Sequence, residues 1–227
     1  MPHISGMGHC ENFSSRRVFQ KVLVMNIDES IKNIRENSSK RKFLQSFDLA
    51  INIANIDLKK PENKISKEVI LPHSRSKDIK VCVISDNMKG EHIVGKEFIL
   101  SLDNNKNVAK QFARKYDFFI SEAPLMALVG RILGRYLGPR GKMPKLLPPG
   151  RSPNNLIEEA KKSVRIRIKD SPVIHCAVGD ENMDDAQIKE NVLHVVEEVK
   201  KVLPAKSQIR NVYLKMTMGS SVKLDVK

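Results

Sequence analysis

Strict alternation of apolar and polar side chains marks three stretches of the chain as strands. Residues 47–53 carry Phe, Leu, Ile and Ile at every second position, and residues 212–216 carry Val, Leu and Met in the same way. Residues 164–169 alternate Val and Ile with two arginines and a lysine. Because successive side chains of a strand point to opposite faces, each stretch predicts a strand with one buried face.

Two stretches with helical spacing accompany these strands. Ile31 and Ile34 follow Asp28, which predicts a capped amphipathic helix that begins near residue 28. Residues 185–203 repeat apolar side chains on one helical face, and Pro204 follows them. This pattern predicts a longer helix that ends at the proline.

A short strand follows the first one along the sequence. Residues 68–71 are Glu, Val, Ile and Leu, and the polar stretch 57–66, with Pro61 and Asn63, separates them from residues 47–53. Two strands joined in this way predict a hairpin with a long loop.

The middle of the chain has a different pattern. Residues 79–85 and 117–121 are short and mostly apolar, and residues 107–115 between them have helical spacing. Strands that are buried on both faces and joined by a helix are typical of a small parallel sheet.

Together these patterns predict an α/β protein of two domains. Residues 1–74 and 162–227 form an α+β domain with a mostly antiparallel sheet, and residues 75–161 form an inserted, Rossmann-like α/β domain with three layers. The sequence pattern changes near residues 72–76 and 158–162, which are the expected domain boundaries.

The charge of the chain indicates a polyanionic partner. Its 227 residues carry a formal net charge of +14 at pH 7, and such an excess is typical of proteins that bind nucleic acid. A protein of membrane surfaces would concentrate its charge on an amphipathic helix with aromatic anchors, which the sequence lacks. No apolar stretch approaches the roughly 20 residues needed to span a bilayer, so we expect no membrane partner.

The cysteines are three and widely separated: Cys10, Cys82 and Cys176. This usage argues against a disulfide framework and favours a reducing, cytoplasmic location. Residues 1–20 show no period and are expected to form a loose lead-in. His3 and His9 there have no second ligand pair at a zinc-like spacing, so we expect no metal site.

The most distinctive stretch is residues 130–145, which read GRILGRYLGPRGKMPK, and no acidic residue occurs from 130 to 151. A mobile, glycine-rich basic segment can follow an RNA surface closely. The alternative is an ordinary turn between a helix and a strand. The stretch is not the phosphate-binding loop of a nucleotide hydrolase, because Met143 follows Lys142 where a Mg²⁺-binding Ser or Thr is needed.

Catalytic residues and cofactors are not expected. No G-x-G-x-x-G sequence follows a strand anywhere in the chain, so a dinucleotide site is excluded. His175 and Cys176 are adjacent in a predicted strand and therefore point to opposite faces, which prevents the thiol and the imidazole from pairing as nucleophile and base.

Several motifs resemble the L-one family of large-subunit ribosomal proteins. The strongest are the glycine-rich stretch 130–145 and the run YLKMTMGSSV at residues 213–222. The resemblance continues through the RKF run at 41–43, the PENKI run at 61–65 and the IHCAVG run at 174–179. It covers nearly the whole chain after about residue 20, and the PENKI run looks most like the archaeal branch.

The resemblance implies a constituent of the large ribosomal subunit that is not an enzyme. Such a protein clamps a stem of large-subunit ribosomal RNA, builds the mobile stalk at the tRNA exit site and assists the release of deacylated tRNA. It also implies repression of translation through a similar structure in the protein's own mRNA. The implied partners are therefore the ribosomal RNA stalk, the exit-site tRNA, the protein's own mRNA and other ribosomal components.

The resemblance and the charge pattern together indicate candidate contacts. The predicted RNA-binding residues are Lys40, Arg41, Lys42, Phe43, Arg165, Arg167, Lys169, His175, Asn211, Thr217, Met218 and Gly219. The predicted secondary contacts to RNA or tRNA are Arg131, Arg135, Arg140, Lys142 and Lys145. The cations at 165–169 stand about 6.6 Å apart along a strand, a spacing that suits a phosphate backbone, although a solvated sheet face would show the same pattern.

Four alternatives stay open at this point. Phe43 is either an RNA contact or a core residue, and Gly219 either admits the RNA backbone or supplies a positive φ angle for a turn. The whole protein could instead be a nucleotide-dependent enzyme built on the parallel sheet, which nucleotide binding and turnover would reveal. It could also be an RNA chaperone or repressor outside the ribosome, which sedimentation of a cell extract would separate.

Overall fold

A computed structural model describes residues 24–60, 63–76, 79–86, 92–148, 153–204 and 206–225. The predicted lead-in at residues 1–20, with His3, His9 and Cys10, lies outside these residues.

The two ends of the chain form one group of elements, here called the end module. Its helices and strands are β1 (Val24–Met25), α1 (Ile27–Glu36), β2 (Ser46–Ala54), β3 (Ser66–Ile70), β8 (Ser163–Arg167), β9 (Val173–Asp180), α6 (Asp185–Val202), β10 (Gln208–Met216) and β11 (Ser221–Leu224). Five strands form a sheet in the order β1-β11-β10-β2-β9, in which only β1 and β11 run parallel. Strands β3 and β8 form a separate antiparallel pair.

The core of the end module lies between the five-stranded sheet and the helices α1 and α6. Every second residue of β2, from Phe47 to Ile53, is buried, as the alternation predicted. The same cluster includes Ile31 and Ile34 of α1 and the apolar face of α6. The helices therefore cover one face of the sheet and leave the polar alternate positions on the other.

The predicted hairpin between the first two strands is wrong. Strand β3 pairs with β8, and β2 lies between β9 and β10 in its own sheet. Both edges of β2 are therefore occupied, and no edge is left for β3. The alternating pattern predicts that a strand has one buried face, but it does not identify its neighbours.

The predicted cap of the first helix also differs. The helix begins at Ile27, and its N-cap residue is Asn26, which makes no side-chain capping hydrogen bond. Asp28 and Glu29 lie in the first turn, where carboxylates favour the positive end of the helix dipole.

The middle of the chain forms a second group, the central module. Its elements are β4 (Val81–Ile84), β5 (Ile93–Val94), α2 (Lys96–Asn104), α3 (Lys106–Lys115), β6 (Phe118–Glu122), α4 (Ala123–Leu137), β7 (Lys145–Leu147) and α5 (Pro153–Lys162). The four strands are parallel in the order β5-β4-β6-β7. Helices α2, α3 and α4 pack on one face and α5 on the other, so the α/β class and the three layers are confirmed.

The glycine-rich stretch is not a mobile segment at its start. Gly130 and Gly134 lie inside α4, whose buried residues include Val129, Leu133 and Leu137 at helical spacing. This apolar face holds the helix against the sheet despite the glycines. The remainder is a turn that connects α4 to β7, which is the ordinary alternative considered for this stretch.

Candidate nucleic-acid interface

The loop between α1 and β2 presents the first set of predicted contacts. Residues 40–43 are exposed, and half of the Phe43 surface is accessible (50%), so Phe43 is not a core residue. The base of the loop is fixed from inside: Gln45 is 1% exposed, and its Nε2 donates a hydrogen bond to Ser39 O at 3.2 Å. A fixed base with an exposed basic tip is suited to contact a partner in a defined geometry.

The turn that follows β10 lies against this loop. The Thr217 amide donates to Ser46 O at 3.1 Å, and the Thr217 hydroxyl accepts from Ser46 N at 3.1 Å and donates to Ser46 O at 3.2 Å. The hydroxyl thus extends the pairing of β10 with β2 by one residue. Met218, next in the chain, is 61% exposed.

Gly219 leaves no room for a side chain between the two segments. A Cβ atom placed on Gly219 would lie 2.7 Å from Ser38 Oγ and 3.3 Å from Met216 Cβ. Among the glycines that the structure describes, only Gly141 has a positive φ angle, so the turn explanation for Gly219 is wrong. Through Ser38 and Ser46, the loop that carries residues 40–43 is therefore held against residues 217–219 at one end of the sheet. We call residues 40–43 and 217–219 the sheet-end cluster.

His175 and Asn211 lie on the polar face of the same sheet, opposite the helices. Ala50 of β2 is paired with His175 on one side and with Tyr213 on the other, and Tyr213 is paired with Lys223. These four residues therefore form one row across four strands, in which the small Ala50 lies between the rings of His175 and Tyr213. We call the polar face formed by His175, Asn211, Tyr213, Lys215 and Lys223 the open face.

Tyr213, Lys215 and Lys223 were not among the predicted contacts. The signal for the first two was present, because they occupy the polar alternate positions of β10 together with Asn211. Their placement beside β9 and β11 depends on strand order, which alternation does not provide.

The predicted row of cations is only partly free, and only Arg165 and Arg167 of the row lie on β8. The Arg165 Nη2 atom lies 2.9 Å from Glu68 Oε1, and its guanidinium carbon lies 4.8 Å from the centroid of the Phe118 ring in the central module. Arg167 Nη1 donates to Pro139 O at 2.9 Å. These two arginines therefore join the modules, whereas Lys169 is exposed beside Asp170.

The five cations of the glycine-rich stretch also differ in exposure: some face solvent and others contact neighbouring residues of the fold. Arg131 and Arg135 are exposed on α4, one helical turn apart. Lys142 Nζ donates to Tyr116 O at 2.6 Å, and burial lowers the pKa of Lys142. Lys145 pairs with Glu68.

Arg140, the remaining cation of the five, is half-buried. The exposed pair on α4 is therefore the part of this stretch that presents charge to a partner.

The structure gives no support for catalysis by the neighbouring thiol and imidazole. Cys176 is buried and His175 is exposed on the other face, and burial raises the pKa of Cys176 to about 12. The described residues contain no group of three or more His, Cys, Asp or Glu side chains that could hold a metal ion. None of the described helices is both long enough and apolar enough to cross a membrane.

Comparison with known proteins identifies close relatives. The family model described as "Ribosomal protein L1p/L10e family" matches residues 26–220. The large ribosomal subunit protein uL1 of Pyrococcus horikoshii is 41% identical over 93% of this chain and 99% of its own. The uL1 proteins of Methanothermobacter thermautotrophicus and Thermoplasma volcanium are 39% and 37% identical, over 87% and 88% of this chain and 98% and 96% of their own.

Proposed function

The chain belongs to the ribosomal protein L1p/L10e family, and on that premise we propose that it grips a stem of large-subunit ribosomal RNA through the sheet-end cluster. The protein is a non-enzymatic constituent of the large ribosomal subunit, like the archaeal relatives it matches. The observation that carries the proposal is that the loop with residues 40–43 is held against residues 217–219, far away in the sequence, by the contacts of Ser38 and Ser46.

The composition of the cluster suits an RNA stem. Lys40, Arg41 and Lys42 are exposed cations that can pair with phosphates. Phe43 and Met218 are half-exposed or more, and such apolar side chains pack on riboses and unstacked bases. The open face continues this surface across the sheet with Tyr213 and Lys215, so a stem can contact both.

The Thr217 hydroxyl is largely occupied by hydrogen bonds within the protein. Its donor and one acceptor position are engaged by Ser46, which leaves a single lone pair. We therefore assign to Thr217 the task of fixing the turn, so that Met218 is presented to the RNA.

We further propose that the bound RNA is the mobile stalk at the tRNA exit site and that the central module contacts the departing deacylated tRNA. Arg131 and Arg135 are the supporting residues, because both guanidinium groups are exposed on one face of α4. Lys142 and Lys145 serve the fold instead through Tyr116 and Glu68.

Repression of the protein's own mRNA follows from the same surface. A messenger stem that imitates the ribosomal stem would occupy the sheet-end cluster, so the two RNAs compete for one site. Excess free protein would then bind the messenger only after the ribosomal sites are filled.

The salt dependence of RNA affinity and a comparison of two alanine substitutions test the RNA contact. Affinity for a ribosomal stalk fragment is expected to fall with salt with a log–log slope of several units. Met218→Ala should weaken binding by roughly tenfold without changing the slope, because it removes packing and no charge. Leu146→Ala is the matched control, since Leu146 is a similarly exposed apolar residue in the central module (53%). Equal effects of the two substitutions, or a slope near zero, would contradict the proposal.

We also propose that residues 1–74 and 162–227 form the RNA-clamping domain and that residues 75–161 are an independent insert. The buried cluster of the end module contains only residues from 27–71 and 164–224. Leu71 N donates to Lys162 O at 3.0 Å, so the two ends of a shortened chain are already adjacent.

A deletion tests this division. Joining residues 1–74 to 162–227 through a short Gly/Ser linker is expected to give a folded protein that keeps most of its stem affinity. The control deletion extends to residue 169 and removes β8, the partner of β3, so it should unfold. Circular dichroism and stem titration distinguish the results, and an unfolded first variant would show that the boundary is misplaced.

A further inference from the structure

A cavity of about 630 Å³ lies beside the linker that leads from the end module into the central module. Its walls come from residues 74–76, from Lys80 and Val81 at the start of β4, from His92 and from the last turns of α5. This volume falls within the range of roughly 300–1,000 Å³ found for small-molecule pockets. We call it the hinge cavity.

The rim of the hinge cavity is strongly basic. Arg75, Lys80, Lys161 and Lys162 line it, and Glu158 is the one carboxylate among the described lining residues. Within the part of the chain that the structure describes, no carboxylate forms an ion pair with any of the four cations. A concave surface with an excess of one sign of charge concentrates ligands of the opposite sign.

One donor on this rim lacks an acceptor. The Nε atom of Arg75 is buried and has no hydrogen-bond partner among the described residues. A buried donor without a partner costs free energy, but this atom has almost no accessible surface, so we assign the phosphate contact to the exposed cations Lys80, Lys161 and Lys162.

The floor of the cavity differs from its rim. Ile79 and Val81 are buried apolar residues, and Ile157 of α5 joins them. The exposed imidazole of His92 borders the same space and lies edge-on to the Tyr116 ring at a centroid distance of 6.1 Å. Apolar contacts and a ring suit the faces of a nucleobase, whereas a simple inorganic anion would use the cations alone.

The walls are held in place by the end module. The hydrogen bond from Leu71 N to Lys162 O joins the two segments that connect the end module to the central module. Asn191 of α6 accepts a hydrogen bond from His73 N at 3.0 Å and donates one to His73 O at 3.1 Å. A ligand therefore meets a preorganised site, which lowers the entropy lost on binding.

We propose that the hinge cavity binds a nucleotide, with its phosphate on the cations of the rim and its base against the floor and His92. This site is separate from the sheet-end cluster and goes beyond the proposed grip on the RNA stem. Its ligand is either a free mononucleotide or a nucleotide that projects from an RNA strand, since both present the same phosphate and base.

Titration of the full-length protein with adenosine 5′-monophosphate tests the proposal, with inorganic phosphate as a second probe. We expect saturable binding of the nucleotide and weaker binding of phosphate. The double substitution Lys80→Gln and Lys161→Gln should weaken nucleotide binding by roughly tenfold or more. The matched control, Lys32→Gln with Lys200→Gln, removes two exposed lysines of α1 and α6 and should change it less than about twofold.

A tetra-adenylate ribonucleotide distinguishes the two sources. Tighter binding than the mononucleotide, with photo-crosslinking to the peptide that contains His92, would assign the site to an RNA strand. Tighter binding of the mononucleotide would assign it to a free nucleotide. Equal affinity for phosphate and nucleotide, equal effects of the two double variants, or no saturable binding of either nucleotide probe would overturn the proposal.

Discussion

Gly219→Val is expected to weaken binding of the ribosomal RNA stem by about 2 kcal/mol, or roughly 30-fold. The reason is the contact with the loop between α1 and β2, because a Cβ atom on Gly219 would lie 2.7 Å from Ser38 Oγ. Ser38 is itself fixed, since its hydroxyl donates to Ile34 O at 2.5 Å. The branched side chain must push the loop away and so separate residues 40–43 from 217–219. Stem titration with the full-length protein measures the loss.

A second substitution, at Ser38, separates two causes of this loss of affinity: disturbed packing of the loop and blocked approach of the RNA backbone. In Gly219→Ala, the added methyl group forces Ser38 to rotate, with a loss of about 1 kcal/mol of stability from its hydrogen bond. Ser38→Ala removes the obstructing hydroxyl. If Gly219 exists for the packing of the loop, the double variant regains both melting temperature and stem affinity relative to Gly219→Ala.

If the glycine instead admits the RNA backbone, the double variant regains stability and still binds poorly. Normal affinity and normal melting temperature in Gly219→Val would remove both explanations.

The elements that the sequence predicted well are those whose burial repeats with a fixed period. Strand β2 has every second residue buried along its whole length, and α6 ends before Pro204 as its pattern predicted. In both, the local pattern and the tertiary burial agree, so periodicity alone suffices. The parallel sheet was predicted for a related reason, because β4 is buried at every position and is followed by helices and another buried strand.

Pairing between distant elements could not be predicted in this way. Arg165 and Arg167 lie on strand β8 as predicted, whereas Lys169 lies beyond the end of the strand. The alternation does not show that Phe118 and Pro139 lie opposite the two arginines. A cation that meets solvent and a cation that meets another module have the same sequence pattern. Only the three-dimensional arrangement distinguishes them.

The sheet-end cluster is a second case in which contacts between distant residues could not be predicted from a sequence pattern. Residues 40–43 and 217–219 were identified by resemblance to a family, because neither stretch has a periodic pattern. Their adjacency depends on the Ser46–Thr217 hydrogen bonds, which span 171 residues of sequence. The exposure of Phe43 likewise depends on Gln45, which turns inward at the end of the loop.

Asn191 is a buried polar residue that anchors the linker between the modules. Its side chain is fully buried in α6, and its Nδ2 donates to Val178 O at 2.8 Å and to His73 O at 3.1 Å. Its Oδ1 accepts from His73 N at 3.0 Å. One amide therefore joins the helix, strand β9 and the linker into the central module.

Asn191→Leu is expected to lower the free energy of unfolding by about 3 kcal/mol, because three hydrogen bonds are lost and backbone groups of His73 and Val178 lose their partner. For a chain of this size, the melting temperature should fall by roughly 6–12 °C. The His73 amide should also exchange its hydrogen faster, since its acceptor is gone. Urea denaturation and hydrogen exchange measure the two effects.

Two further variants decide why Asn191→Leu is unstable. Asn191→Ala loses the same hydrogen bonds without adding bulk, so similar losses in both variants attribute the effect to the bonds, whereas a loss in Leu alone attributes it to overpacking. Glu197→Leu, an exposed site on the same helix, controls for the added apolar side chain and should stay within about 0.5 kcal/mol of the parent. If both Asn191 variants match the parent in stability and in exchange at His73, the linker is not anchored by this side chain, and the orientation of the central module must depend instead on the contacts of Glu68, Arg165 and Arg167.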